Sequence, residues 1–416
     1  MATEKLATTM EAAKRLFIWK QCLEGNHPEG TFNQKVTDAI RKTGYIQWDP
    51  VKVVAPSHMI SLWSRIGGFK WSDLDRMMWI DKEAFFHWTP IAWLVLTEDY
   101  PIFYSLMRRY PDSLRKGWSS HGESARKFMD SHIGLRREII GKLKEGPAPT
   151  SQFRGYGKKV KTSDGWSSES DVSRMLYHLH MVGEVMVSGH SANQNVWSLT
   201  DEFLPLKAEK TILPTRDLEM KTALRALGAL GIATEGDIYR YFVRGRYTDL
   251  GVALKQLVED ETVVKVEIEG KTMKKPLYML SSDIMKLDSL MSGKWKPELK
   301  LISPFDNLII LRDRTKRMFN FDYILEQFVP KDRRKFGTYV LPVLWDSNIV
   351  GRIDAKLERG SRTLKINNVY AEPGYGDDEG IGEQLQERIV DFAGFLGAEK
   401  VVYGDGKPLK WAKYLT

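Results

Sequence analysis

Between Met220 and Leu280 the apolar residues change from helical spacing to strict alternation at one sharp point, and few folds accommodate that switch. Met220–Leu230 reads as a helix, Thr234 caps a short one over Gly236–Val243, and Thr248 caps a third. The third helix carries Leu250, Ala253, Leu254, Leu257 and Val258 on one face. Alternating residues follow in Thr262–Ile268 and Leu277–Leu280, on either side of a polar turn from Glu269 to Lys275. Three helices and a hairpin in that order form a winged helix, a layout that places its third helix in a DNA groove and its hairpin beside it.

An earlier stretch repeats the pattern. A helix over Leu135–Lys144 ends at Gly146-Pro147, and the Ser167–Ser170 cluster caps a second helix with Val172, Met175, Leu176 and Leu179 on one face. Glu184–Ser188 and Asn195–Leu199 then read as its hairpin. The N-terminal residues give a third, elaborated copy. Its helices are Ala12–Leu23 and Phe32–Lys42, with more over Ser61–Phe85, and its wing is Phe86–Trp88 with Ile91–Leu96. Beyond Pro297 short strands take over at Leu299–Ile302, Leu308–Leu311, Tyr339–Trp345, Ile349–Leu357 and Thr363–Tyr370, before a helix over Glu379–Leu396 and a last strand at Lys400–Tyr403. The expected fold class is α+β: tandem winged helices followed by a C-terminal β-rich, barrel-like domain. The expected boundaries are 1–134, 135–210, 211–293 and 294–416.

Composition limits what such a chain does. It has 416 residues, 42% apolar and 28% charged, which describes a folded protein. Its net charge of +8 favours a polyanionic partner. A single cysteine, Cys22, excludes an internal disulfide and fits a reducing compartment. The first residues lack the apolar core of a signal peptide, and no window reaches the ~18–20 apolar residues of a membrane span. A monomer in the cytoplasm is the expectation, with no membrane partner.

Basic residues gather where winged helices meet phosphates: Arg240, Arg244, Arg246 and Lys255 bracket the third helix of the Met220–Leu280 copy. Lys271, Lys274 and Lys275 crown its wing, with Met273 between them as a wedge. Arg154, Lys158, Lys159 and Lys161 precede the second helix of the earlier copy, and Arg333, Arg334 and Lys335 form a C-terminal turn. Each cluster taken alone is equally a solvated surface. No Cys–His cluster exists, and His178 and His180 face apart on a helix, so neither a metal nor a cofactor is expected.

One polar pair stands out in an apolar setting. After a helix stop at Gly44, alternation through Tyr45, Ile46, Gln47, Trp48 and Asp49 puts an amide and a carboxylate on one side of a strand, with Trp48 packing inward on the other. Such a pair holds a water beside an electron-poor carbon. By spacing alone, a turn made by Asp49 before Pro50 is the plainer reading.

The stretches Ile46–Val51, Val53–His58 and Leu62–Arg65 resemble the winged-helix DNA glycosylases of the AlkZ and YcaQ type. So do Leu301–Ile309, Arg312–Arg314, Phe319–Tyr323, Tyr339–Leu344 and Val350–Lys356. The resemblance implies excision of alkylated bases from double-stranded DNA and, in some members, unhooking of interstrand crosslinks joined through purine N7. It implies catalysis by a Gln-x-Asp pair, here Gln47 and Asp49, without a lysine nucleophile, and DNA contacts that include His58 and Arg65. The chain departs from the YcaQ-like Glu-Tyr-Trp-x-His pattern, having Phe86-His87-Trp88-Thr89-Pro90 in its place. The competing expectation is a winged-helix transcription regulator that binds intact DNA and is indifferent to Asp49.

Overall fold

The computed structural model describes residues 6–26, 28–88, 91–112, 119–156, 171–191, 194–205, 208–272 and 274–416. The chain divides into two compact units, one of residues 1–71, 223–242 and 254–416, the other of residues 72–222 and 243–253. The helices Thr215–Leu230 and Leu250–Glu259 are shared between them.

The helix–helix–helix–hairpin order is present as Thr215–Leu230, Glu235–Tyr241, Leu250–Glu259 and the antiparallel pair Val263–Ile268 with Leu277–Leu280. Thr234 caps the short helix in a reciprocal capping box with Asp237. The third helix is capped by Asp249, not Thr248: Asp249 Oδ1 accepts from the Val252 amide at 3.1 Å. A two-residue strand, Ala233–Thr234, pairs with the second hairpin strand. The earlier copy has the same feature, Ala148–Pro149 pairing with Gln194–Leu199, which in turn pairs with Val185–Ser191. These short strands join the first helix of each copy to its wing. The expected cap at Ser167–Ser170, together with Lys158, Lys159 and Lys161, lies outside the described residues.

In the first unit the wing gains a fourth strand, Leu6–Thr8, running parallel to Val263–Ile268. Beneath this sheet Ala12, Ala13 and Leu16 of the helix Met10–Lys20 pack with Ile232, Leu287 and Leu290.

The C-terminal part of the first unit is a five-stranded mixed sheet. Its order is Lys300–Leu301, Val340–Trp345, Asn348–Glu358, Thr363–Ala371 and Lys400–Gly406, and only the last pairing is parallel. The helix Glu379–Phe395 makes the crossover that a parallel pairing requires. Register shifts at Val343/Leu344 and Asp354/Ala355 bend the strands. The expected strand at Leu308–Leu311 is absent. Its backbone turns, Ile309 N–H bonding to Asp306 O, and leads into a helix at Arg312–Phe319. An apolar run of four residues does not distinguish a strand from a buried turn. The core of this sheet also takes in Val54, Ala55, Ile60 and Trp63.

The second unit holds the antiparallel pair Ala84–Trp88 with Ala92–Leu96, the helices Tyr100–Arg108 and Ser119–Ser131, and the earlier winged-helix elements. No helix among the described residues is long and apolar enough to cross a membrane.

Candidate active site

Gly44 ends the helix Phe32–Thr43 with φ 83° and ψ −39°, a backbone that glycine reaches without a Cβ penalty. The strand that follows is only Ile46–Gln47, so the alternation does not run on to Asp49. Tyr45, Ile46 and Gln47 are all buried, and Trp48 is half-buried, its ring stacked on His58 at 3.8 Å and 6°. The inward packing expected of Trp48 is thus a stack on a helix side chain. Asp49 opens a turn: its Oδ1 accepts from the Val51 amide at 2.9 Å, and its carbonyl accepts from the Ser57 amide at 3.0 Å. The bond to Ser57 closes the loop onto the first residue of the helix Ser57–Ile66.

Below the motif lies a buried polar network. Asn307 Nδ2 donates to Tyr45 O at 2.9 Å and to the Tyr241 hydroxyl at 2.9 Å, while that hydroxyl donates to Thr43 O at 2.7 Å. Arg65 forks Asp306 at 2.7 and 2.8 Å and also donates to Ser61 O and Gln21 Oε1. Gln21 Nε2 continues the chain to Ala229 O at 2.8 Å. The carbonyls on either side of Gly44 are therefore held by side chains from two distant segments, Tyr241 and Asn307. Nearer Asp49, the hydroxyls of Ser57 and Ser303 share a hydrogen bond of 2.7 Å. The Tyr339 phenol is buried alongside; burial, with the charge of Asp49 among the lesser causes, keeps it protonated.

Two features set Gln47 and Asp49 apart. Gln47 is 6% exposed, and its Oε1 is buried without a hydrogen-bond partner among the described residues. Leaving such an acceptor unsatisfied costs about 1–3 kcal/mol unless something binds there. Asp49 is half-buried, and desolvation raises its pKa above the ordinary carboxylate value despite the opposing bond from Val51. An amide oxygen left without a partner among the described residues and, two residues on, a carboxylate of raised basicity are groups able to hold and deprotonate a water.

The other expected site residues fall variously. His58 is buried under Trp48. Arg65 is 0% exposed, with its fork closed on Asp306, which leaves no face for a phosphate. Lys271, Lys274 and Lys275 are exposed at the wing turn, and Met273 lies outside the described residues. Arg333 and Lys335 are exposed, whereas Arg334 donates to Val329 O and Thr338 Oγ1. In the second unit Arg244 lies over the Trp93 ring at 5.7 Å, and Arg246 is half-buried. There too Phe86 and His87 are buried in the strand Ala84–Trp88, while Thr89 and Pro90 lie outside the described residues. Asp306, Asn307, Tyr241 and Tyr339 were not singled out from sequence. A polar pair enclosed by Ile302 and Leu308 was the available signal for Asp306 and Asn307.

A family model described as DNA glycosylase AlkZ-like matches residues 40–392. Among solved structures, the Streptomyces sahachiroi DNA glycosylase AlkZ is similar to the chain with a TM-score of 0.63 at 13% identity. The match covers 96% of this chain and 99% of that one. At that identity the likeness is one of fold.

Proposed function

The chain belongs to the AlkZ-like DNA glycosylase family, repair hydrolases that break N-glycosyl bonds in DNA, and from that premise we propose that it excises N7-alkylated purines by a monofunctional mechanism. The unsatisfied Oε1 of Gln47, buried two residues from the basic carboxylate of Asp49, carries this reading.

An N7-alkylated purine is cationic and departs readily, so the demand falls on the sugar, which becomes oxocarbenium-like. Ionised Asp49 stabilises that charge and takes a proton from the attacking water. Gln47 accepts a hydrogen bond from the same water and fixes its position. The neutral purine leaves, and the water oxygen becomes the sugar's new hydroxyl, with no bond to the protein at any stage. Asp49 and Trp48 are only half-buried, which suits a lesion too bulky for a closed pocket, so we extend the proposal to N7-linked interstrand crosslinks. The lysines of the wing turn, with Arg244, Arg246, Arg333 and Lys335, are assigned to the DNA backbone.

The test is base release from a duplex carrying one N7-methylguanine. Wild type should release the base, and Asp49→Asn should lose at least ~10²-fold in rate while still binding the duplex. Near-full activity in Asp49→Asn overturns the assignment. Absence of release by wild type, with tight binding to intact DNA, favours a regulator instead.

A further inference from the structure

Past Asp49 the chain runs irregularly, with bends at Val53, Val54 and Ala55, and three hydrogen bonds fasten it to the end of the strand Asn348–Glu358. Leu357 N–H donates to Val53 O at 3.1 Å, and the Arg359 guanidinium donates to Lys52 O at 2.8 Å and Val54 O at 2.9 Å. Beside this seam lies a cleft lined by Lys52, Thr338, Lys356, Arg359 and Asn367, with Asp354 on its floor. Lys52, Lys356, Arg359 and Asn367 are exposed. The neighbouring acid Glu358 is paired with Lys365 at 2.8 Å, and neither Lys52 nor Lys356 has an ion-pair partner among the described residues. Asp354 is buried, and its carboxylate accepts from Asn367 Nδ2 at 3.0 Å and from the Thr338 and Tyr339 amides. That acid organises the floor, and the rim keeps its positive excess.

Besides Val53, Ala355, Leu357 and the carboxylate of Asp354, the lining contains cations, a hydroxyl and an amide, but no aromatic ring on which a base would stack. Such donors suit a phosphate, which accepts from point charges without needing a shaped pocket. Position adds a constraint. Lys52 is three residues from Asp49, so their Cα atoms are at most ~11 Å apart. A DNA strand advances ~3.4 Å per nucleotide, which places this cleft within about three nucleotides of the reacting sugar.

We propose that the cleft between Val51–Val54 and the strand Asn348–Glu358 is a seat for a backbone phosphate of the damaged strand, with Lys52 and Lys356 neutralising it. Its distance from the lesion rests on the glycosylase reading; the phosphate contact itself does not. The seat ties strand placement to the segment that carries Asp49, because Arg359 holds Lys52 and Val54 in one piece.

The experiment measures duplex binding by the full chain from 50 to 200 mM salt, wild type against Lys52→Gln/Lys356→Gln, with Lys400→Gln as an exposed-lysine control on the same sheet. The double variant should lower the log–log salt slope by about 1–2 and weaken binding about tenfold near 100 mM salt, while the control keeps the wild-type slope. An unchanged slope in the double variant, or an equal fall in the control, overturns the proposal. Base release on the same duplex separates the two failures. Wild type that binds without releasing base sinks the glycosylase reading alone, and an unaltered slope in an active enzyme sinks the phosphate seat alone.

Discussion

A half-buried carboxylate that the proposed mechanism needs in its ionised form works against the fold that holds it. Desolvation raises the pKa of Asp49, so the folded state holds its proton to higher pH than the unfolded state does. The folded state therefore loses stability as pH rises from the ordinary carboxylate range through the raised value. Once pH has passed the raised value, Asp49 is ionised and that loss is complete. Asp49→Asn should accordingly melt at a higher temperature than wild type at pH 7 while being inactive. The acid limb of the wild-type pH–rate profile should also lie above the ordinary range. A limb within that range, or a lower melting temperature for the variant, contradicts the account. Arg65 and Asp306 make the opposite case, since each satisfies the other at 0% exposure. Arg65→Met leaves Asp306 buried and uncompensated, at an expected cost of about 3–5 kcal/mol by urea denaturation. Adding Asp306→Leu should restore part of that loss. At this scale the sequence showed the spacing of Gln47 and Asp49, but not that Arg65 is enclosed. An arginine facing DNA and one facing a buried aspartate read alike along a chain.

At the scale of elements, the active segment depends on where one helix stops. A Cβ on Gly44 would meet Phe242 Cδ2 at 3.2 Å, in a backbone conformation that side chains rarely adopt. Gly44→Ala should therefore cost about 1–2 kcal/mol by urea denaturation. Base release should fall as well, because Gln47 is carried by the two-residue strand beyond the turn. A variant of wild-type stability would show that the stop is not fixed by glycine. Helices of marked periodicity and the two hairpins were legible because their pattern is repeated within one element. The short strands Ala233–Thr234 and Ala148–Pro149 were not, since two residues cannot express a period. The turn at Leu308–Leu311 reads as a strand because an apolar run of four residues fits either element.

At the scale of the whole molecule, the two units should respond differently to acid. In the second unit His87 and His180 are wholly buried, their rings 5.2 Å apart. Burial keeps His87 well below the usual histidine pKa, and it pushes His180 down to about 4. The unfolded chain therefore takes up protons that the folded unit refuses. Stability is complete above the ordinary histidine value of ~6.5 and is lost as pH falls from there towards 4. Melting curves between pH 7 and 4 should resolve an acid-labile transition, and His180→Phe should weaken its pH dependence; a transition that ignores pH across this window rejects the assignment. What the sequence determined by itself was whatever repeats over neighbouring residues: the helical faces, the alternating hairpins, the basic wing turn and the spacing of the motif. What only the tertiary structure decided was the setting of that motif. Arg65 meets Asp306 across 241 positions and Asn307 meets Tyr45 across 262, while the helix Ser57–Ile66 completes the core of the C-terminal sheet. Periodicity registers which face of an element is apolar, whereas burial, charge pairing and basicity depend on which distant segment covers that face.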